Sequence, residues 1–214
     1  GEGEIALLCK VVGKGALWLA RRELVYRIDI LGPLGKGFSV EPSTKNLLLM
    51  AGGVGIAPLV FLAQHAVASS QHRVTLIHGA STAAELYSSS SWGGNLSPLP
   101  REVRFIPITE DGSVGKKGVV TDILPDFLDW ADQIYACGPI DMYKAMSEQV
   151  ARGLVPRYAE SKLKKCQVSL EVRMGCGIGA CYGCTINTRK GLRQVCHDGP
   201  IFELDDILWE EVRI

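Results

Sequence analysis

Leu47-Leu48-Leu49-Met50-Ala51-Gly52-Gly53-Val54-Gly55-Ile56-Ala57-Pro58 is the stretch on which the fold turns. An apolar run of strand length ends in a glycine turn, and the sequence beyond the turn reads as a helix. Backbone N–H groups at such a turn, with the helix dipole behind them, suit a pyrophosphate. The turn departs from G-x-G-x-x-G because Pro58 stands at the third glycine position, so a glycine turn without a ligand is the plain alternative. From Asn46 to His72 there is no Asp, Glu, Lys or Arg, a length that would satisfy a bilayer. Glycines and Pro58 interrupt that run, however, and Gln64, His65, Ser69, Ser70, Gln71 and His72 make its second half polar, which favours a buried strand leading into a helix.

Downstream, β-prone runs at residues 73–78, 103–108 and 133–136 alternate with helical stretches, which predicts a parallel sheet with crossover helices. A second turn, Cys137-Gly138-Pro139-Ile140-Asp141-Met142, follows the last of these strands, with Pro139 placed for the first turn of a helix. Ligands of open parallel sheets bind at the carboxyl ends of strands, so both turns are expected to face one crevice. For Cys137 the alternative to a ligand contact is a small buried residue. After the 73–78 run, Gly79-Ala80-Ser81-Thr82-Ala83-Ala84-Glu85 offers no basic side chain for a 2′-phosphate, which favours NAD over NADP.

Upstream, residues 5–12 and 25–31 are apolar and β-prone, separated by a Gly13-Lys14-Gly15 turn and a short helical segment through Trp18 and Leu19. Gly32, Pro33, Gly35 and Gly37 then punctuate the chain before residues 38–40 resume extended structure. Residues 1–46 therefore read as part of a small antiparallel barrel, too short to complete one. The alternating pattern stops near Pro156 and the chain turns cysteine- and glycine-rich after Lys162, which places a boundary around residue 157. The expected organisation is a partial barrel (1–46), an α/β nucleotide domain (47–157) and a small cysteine domain (158–214). Ser88 to Ser91 is a loop-like run and no internal repeat is visible.

The third domain carries Cys176-x4-Cys181-x2-Cys184-x11-Cys196, four thiols with three on one tight loop. The first two intervals match the spacing of plant-type [2Fe-2S] ferredoxins. Gly175, Gly177, Gly179 and Gly183 surround them, letting the backbone wrap closely and aim N–H groups at sulfur. Structural zinc is an alternative, although zinc ribbons usually show two C-x2-C pairs and only one is present. A thiol cluster without metal is another. Cys9, Cys137 and Cys166 fall outside the spacing. His65, His72, His78 and His197 suggest neither a metal site nor a triad, and no G-x-S-x-G elbow occurs, so no catalytic side chain is assigned.

Lys+Arg 23 against Asp+Glu 23 gives a formal net charge of zero, which argues against nucleic acid or an anionic membrane and for small ligands or protein partners. Seven cysteines is an odd number, and their crowding suits a metal site in a reducing compartment better than a disulfide framework. No charged leader opens the sequence, so a cytoplasmic setting is expected.

Taken together, the two glycine turns and the terminal cysteines resemble the ferredoxin-reductase superfamily. Gly32-Pro33-Leu34-Gly35-Lys36-Gly37-Phe38, Glu110-Asp111-Gly112-Ser113-Val114-Gly115, Met174-Gly175-Cys176-Gly177-Ile178-Gly179-Ala180-Cys181 and Val195-Cys196-His197-Asp198-Gly199-Pro200 resemble, more narrowly, the electron-transfer subunits of NAD-linked dihydroorotate dehydrogenases. The similarity runs through nearly the whole chain. It implies a flavin barrel, a Rossmann-like NAD domain and a [2Fe-2S] domain, partnered with a separate FMN-bearing subunit that oxidises dihydroorotate to orotate in pyrimidine biosynthesis. Electrons would pass from FMN through the cluster to FAD and as hydride to NAD⁺.

Carried over by position, the family's FAD contacts fall on Leu8, Cys9 and Lys10, expected in a strand, and on Gly15 and Ala16, expected in the turn. Ala16 stands where the family has threonine. The family's Arg-x-x-Ser flavin motif belongs to a strand preceding Ile5 and is not found in residues 1–46, so the chain is expected either to be a fragment or to hold FAD less completely. Two other functions compete: a related NAD(P)H-linked reductase module serving a hydrogenase or ferredoxin system, and a zinc-stabilised nucleotide-binding module.

Overall fold

A computed structural model describes residues 5–69, 71–87, 99–151 and 166–212. Its centre is a seven-stranded sheet of order β4-β3-β2-β1-β5-β6-β9. The strands are β1 (Asn46–Gly52), β2 (Arg73–Ala80), β3 (Arg104–Thr109), β4 (Lys116–Lys117), β5 (Gln133–Cys137), β6 (Cys166–Ser169) and β9 (Ile201–Glu203). All neighbours are parallel except β6 and β9. The expected strands at 47–51, 73–78, 103–108 and 133–136 are all present. The Ser88 to Ser91 run and the boundary expected near residue 157 lie outside the described residues. Beyond that boundary β6 and β9 extend the same sheet.

β1 shows why the sheet is central. Leu47, Leu48, Leu49, Met50 and Ala51 are all completely buried, as a parallel strand covered on both faces requires. Side chains alternate across a strand. Leu47, Leu49 and Ala51 accordingly join one core with Leu59, Leu62 and Ala63 of helix α2 (Ile56–Ala68). Leu48 and Met50 join the other. That second core takes in Leu124 of α3 (Leu124–Phe127), Met142, Tyr143 and Met146 of α4 (Ile140–Ala151), and Cys184, Val195, Cys196 and Trp209 from the cysteine-rich region. The charge-free run thus splits into β1 and α2, and no helix among the described residues is long and apolar enough to cross a membrane.

The cysteine region adds a hairpin of β7 (Thr185–Thr188) and β8 (Gly191–Gln194), followed by a single helical turn, α5 (Val195–Asp198).

The N-terminal part departs from expectation. Among the described residues before β1 no strand forms at 5–12, 25–31 or 38–40. The single regular element is helix α1 (Lys14–Ala20), which absorbs Lys14 and Gly15 of the expected turn. A β-prone run becomes a strand only when a ladder partner takes up its N–H and C=O groups, and these runs have none among the described residues. Arg22 instead lies over the rings of Trp18 and Tyr26, 4.4 and 4.5 Å from their centroids, holding α1 and residue 26 together locally. The segment is tied to the sheet further on. The Ser39 carbonyl accepts from Gln133 Nε2, Tyr135 Oη and Gln167 Nε2 at 3.0 to 3.2 Å, and Phe38 stands edge-on to Tyr135.

Candidate cofactor sites

The chain runs outward from β1 through β2 and β3 to β4, then crosses back to place β5 on the other side of β1. That reversal opens a crevice at the carboxyl ends of β1 and β5. Ala51 pairs with Cys137 in register, so the two expected glycine turns emerge side by side. They also touch. A Cβ on Gly52 would stand 2.6 Å from Pro139 Cδ and 3.4 Å from Gly138 Cα, and one on Gly55 would overlap the Cys137 carbonyl. Close backbone approach is the reason for glycine at 52 and 55.

Gly53 differs, with φ of +52° and open space where a Cβ would point. It requires glycine for its backbone and faces outward. Pro58 lies in the first turn of α2, where its missing N–H costs nothing.

Two buried side chains that sequence reasoning passed over pin these turns. His78 of β2 reaches the Gly53 carbonyl with Nε2 at 3.0 Å, and its Nδ1 takes the Tyr87 N–H at 3.1 Å. Burial holds its pKa below the ordinary histidine value, the Gly53 hydrogen bond opposing this in part. Tyr143 of α4 accepts the Gly138 N–H at 2.8 Å and donates to the Ser169 carbonyl at 2.6 Å. The one available signal was a polar residue inside a buried strand or helix face, which does not disclose its partner.

Cys137 is half-buried at the end of β5, and burial pushes its thiol up to about 11. It is a protonated wall of the crevice. A cavity of about 300 Å³ lies beyond the second turn, bounded by Gly138, Pro139 and Tyr143 on one side and Leu170, Glu171 and Arg173 on the other. The latter three lead into the cysteine loop.

That loop wraps its sulfurs in backbone donors. Cys176 Sγ accepts from the N–H groups of Ala180 and Cys181 at 3.3 and 3.4 Å, and Cys181 Sγ from Gly183 at 3.4 Å. The Ile178 N–H, then that of Cys181 and the Cys181 thiol, hold the Cys176 pKa down to about 6. The β7–β8 hairpin accounts for the long last interval. Thr185 pairs with Gln194, which returns the chain so that Cys196 faces Cys184, with the sulfurs 3.3 Å apart. Both are buried. The Cys184 thiol, and then burial, raise the Cys196 pKa. Gly179, at φ of +79°, donates its N–H to Cys196 Sγ at 3.2 Å and so closes the loop onto the hairpin.

Among the described residues no three His, Cys, Asp or Glu side chains converge on one metal-ion position. The thiols come as two pairs, Cys176 with Cys181 and Cys184 with Cys196. This donor set fits a two-iron cluster, in which each iron takes two thiolates and the sulfurs are tuned by N–H donors.

The residues carried over for FAD are less organised. Leu8, Cys9 and Lys10 lie in chain without a ladder, and Gly15 and Ala16 form the first turn of α1 rather than a loop. Leu8 packs against the α2 core, Cys9 is exposed, and Lys10 pairs with Glu85 at 2.9 Å.

Family models match two parts of the chain. The oxidoreductase NAD-binding domain covers residues 49–148, and the iron–sulfur cluster binding domain of dihydroorotate dehydrogenase B covers residues 171–208. The chain is 34% identical over 98% of its length to the dihydroorotate dehydrogenase B (NAD(+)) electron transfer subunit of Desulforamulus reducens, spanning 76% of that relative. It is 36% identical over 94% of its length to the subunit of the same name from Listeria welshimeri, spanning 74% of it. Among solved structures, the NADH-dependent reduced ferredoxin-NADP oxidoreductase superposes with a TM-score of 0.75 at 29% identity, covering 94% of this chain and 68% of that one. The cytochrome b5 reductase domain of Ulva prolifera nitrate reductase shares the fold, with a TM-score of 0.52 at 18% identity over 72% of this chain and 63% of that one.

Proposed function

The chain belongs to the family of dihydroorotate dehydrogenase B electron transfer subunits, and from that premise we propose that it carries electrons from an FMN-bearing dihydroorotate dehydrogenase subunit to NAD⁺. When bound, a [2Fe-2S] cluster would supply one-electron transfer and FAD the conversion to two-electron hydride exchange.

The chain's own residues hold and orient these groups. Cys176, Cys181, Cys184 and Cys196 are the cluster ligands, and the N–H groups of Gly179, Ala180, Cys181 and Gly183 ease negative charge on the sulfurs. Binding as thiolates, Cys184 and Cys196 would give up their protons, including the one that Cys184 donates to Cys196. Gly52, Gly53 and Gly55 receive the NAD pyrophosphate, and Cys137, Gly138 and Pro139 form the facing wall. Leu8, Cys9, Lys10, Gly15 and Ala16 take part in holding FAD. The chain then divides into a flavin segment (1–46), an NAD domain (47–157) and a cluster domain (158–214). A reducing, cytoplasmic setting suits seven free thiols.

One observation carries this reading: the hairpin brings Cys196 to Cys184 beside the loop that bears Cys176 and Cys181, with N–H donors on the sulfurs. Iron and labile sulfide assays on the purified protein test it. Two irons and two sulfides per chain are expected; one zinc without sulfide sinks the reading. Cys181→Ser should abolish the visible iron–sulfur absorption, and Cys166→Ser should leave it. Gly53→Val should weaken NADH binding by calorimetry, because a side chain would stand in the open space above the turn. With the FMN-bearing subunit added, dihydroorotate should reduce NAD⁺.

A second reading, a reductase module serving a different partner, is favoured by the likeness to the ferredoxin-NADP oxidoreductase. NADH-dependent ferredoxin reduction without response to dihydroorotate would select it.

A further inference from the structure

We propose that His78 is a positioning residue for the dinucleotide, holding the Gly53–Val54 peptide so that its N–H faces the crevice. The proposal rests on the assignment of the Gly52–Gly55 turn to NAD. His78 is completely buried in β2, beside Ala51 of β1 in the parallel register. Its two ring nitrogens meet groups of opposite kind. The Tyr87 N–H can only donate, so Nδ1 presents a lone pair; the Gly53 carbonyl can only accept, so Nε2 carries the proton. The ring is therefore a neutral Nε2–H tautomer, fixed by its partners, and burial favours the same neutral form.

The consequence follows from the peptide plane. In a trans peptide the C=O and N–H point in opposite directions. With the Gly53 carbonyl drawn inward to the buried ring, the Val54 N–H points outward. Gly53 and Val54 are exposed, and the space above Gly53 is open. The outward face is therefore the one that receives a phosphate oxygen. The Ile56 N–H also reaches the Gly53 carbonyl, but it belongs to the same turn, whereas His78 ties the turn to a neighbouring strand. Through Tyr87 the same ring anchors the chain that leaves the 3-10 turn at Ala83–Glu85.

Two substitutions separate the two hydrogen bonds. His78→Gln places an amide N–H where Nε2 stands and retains the bond to Gly53. His78→Asn places an oxygen where Nδ1 stands, retaining the Tyr87 bond and losing the one to Gly53. NADH dissociation constants, thermal midpoints and the visible absorption of the purified protein should be measured for both. His78→Asn is expected to weaken NADH binding about tenfold, and His78→Gln by no more than about threefold, the loss of one hydrogen bond to the Gly53 carbonyl setting the scale. The visible absorption should be unchanged in both. Wild-type affinity in His78→Asn, or equal weakening in the two variants, overturns the proposal.

Gly53→Val separates this from the site itself. If that variant binds NADH normally, the turn is not the NAD site; if it fails while His78→Asn binds normally, only the role of His78 falls. Should either histidine variant not fold, ¹⁵N spectra of the wild-type ring decide. An unprotonated Nδ1 and an Nε2–H resonance that shifts on adding NADH are expected; a protonated Nδ1, or no shift, overturns the proposal.

Discussion

Val25 and, just ahead of it, Leu24 stand almost fully in solvent while Leu47, Leu48 and Leu49 are completely buried, although Val25 opens a short apolar, β-prone run just as Leu47 does. The difference lies in their neighbours. Asn46–Gly52 has β2 on one side, β5 on the other, α2 above and the α4 and cysteine-region core below. Residues 25–31 have no ladder, and the described chain before β1 meets the sheet chiefly through residues 36 to 41. A strand is a relation between segments. Apolar sequence makes that relation favourable and does not create the partner.

Substitutions on the two sides of this contrast should differ by an order of magnitude in their cost. Gly55→Val should be the most damaging, because its Cβ would overlap the Cys137 carbonyl and force β1 and β5 apart at the crevice. Loss of more than about 4 kcal/mol is expected from backbone overlap at a buried site, seen as failure to fold or a collapsed denaturant midpoint. Wild-type stability there would mean that the two turns do not touch.

Leu48→Ala removes a fully buried side chain from the second core and should cost about 3 kcal/mol in urea unfolding. Tyr143→Phe keeps the ring but strands the Gly138 N–H and the Ser169 carbonyl. About 2 kcal/mol is expected for those lost partners, and a near-neutral result would place water at one of them. Leu24→Ser, beside the uncovered run, should change stability by no more than about 0.5 kcal/mol. A larger loss would show that this face is covered in solution, and the contrast drawn from Leu24 and Leu48 would then fail.

Four parallel strands, both glycine turns and the four-cysteine spacing were legible in the sequence because each is local. An apolar run of strand length, a turn that tolerates no Cβ and a C-x4-C-x2-C loop are properties of ten or so consecutive residues. The α1 helix through Trp18 and Leu19 was legible for the same reason. The expected barrel strands were not, since their local signal equals that of β1 and the deciding ladder is remote.

What the tertiary structure alone decided is everything set by meeting. The crossover back to β5 places Gly52 against Pro139, and a hairpin closed by Thr185 and Gln194 carries Cys196 to Cys184. Buried His78 and Tyr143 find carbonyl and N–H partners on other elements. A hydrogen bond or a shared core needs two surfaces at a fixed distance. A one-dimensional pattern specifies the chemistry of each surface and leaves the distance to the folded chain.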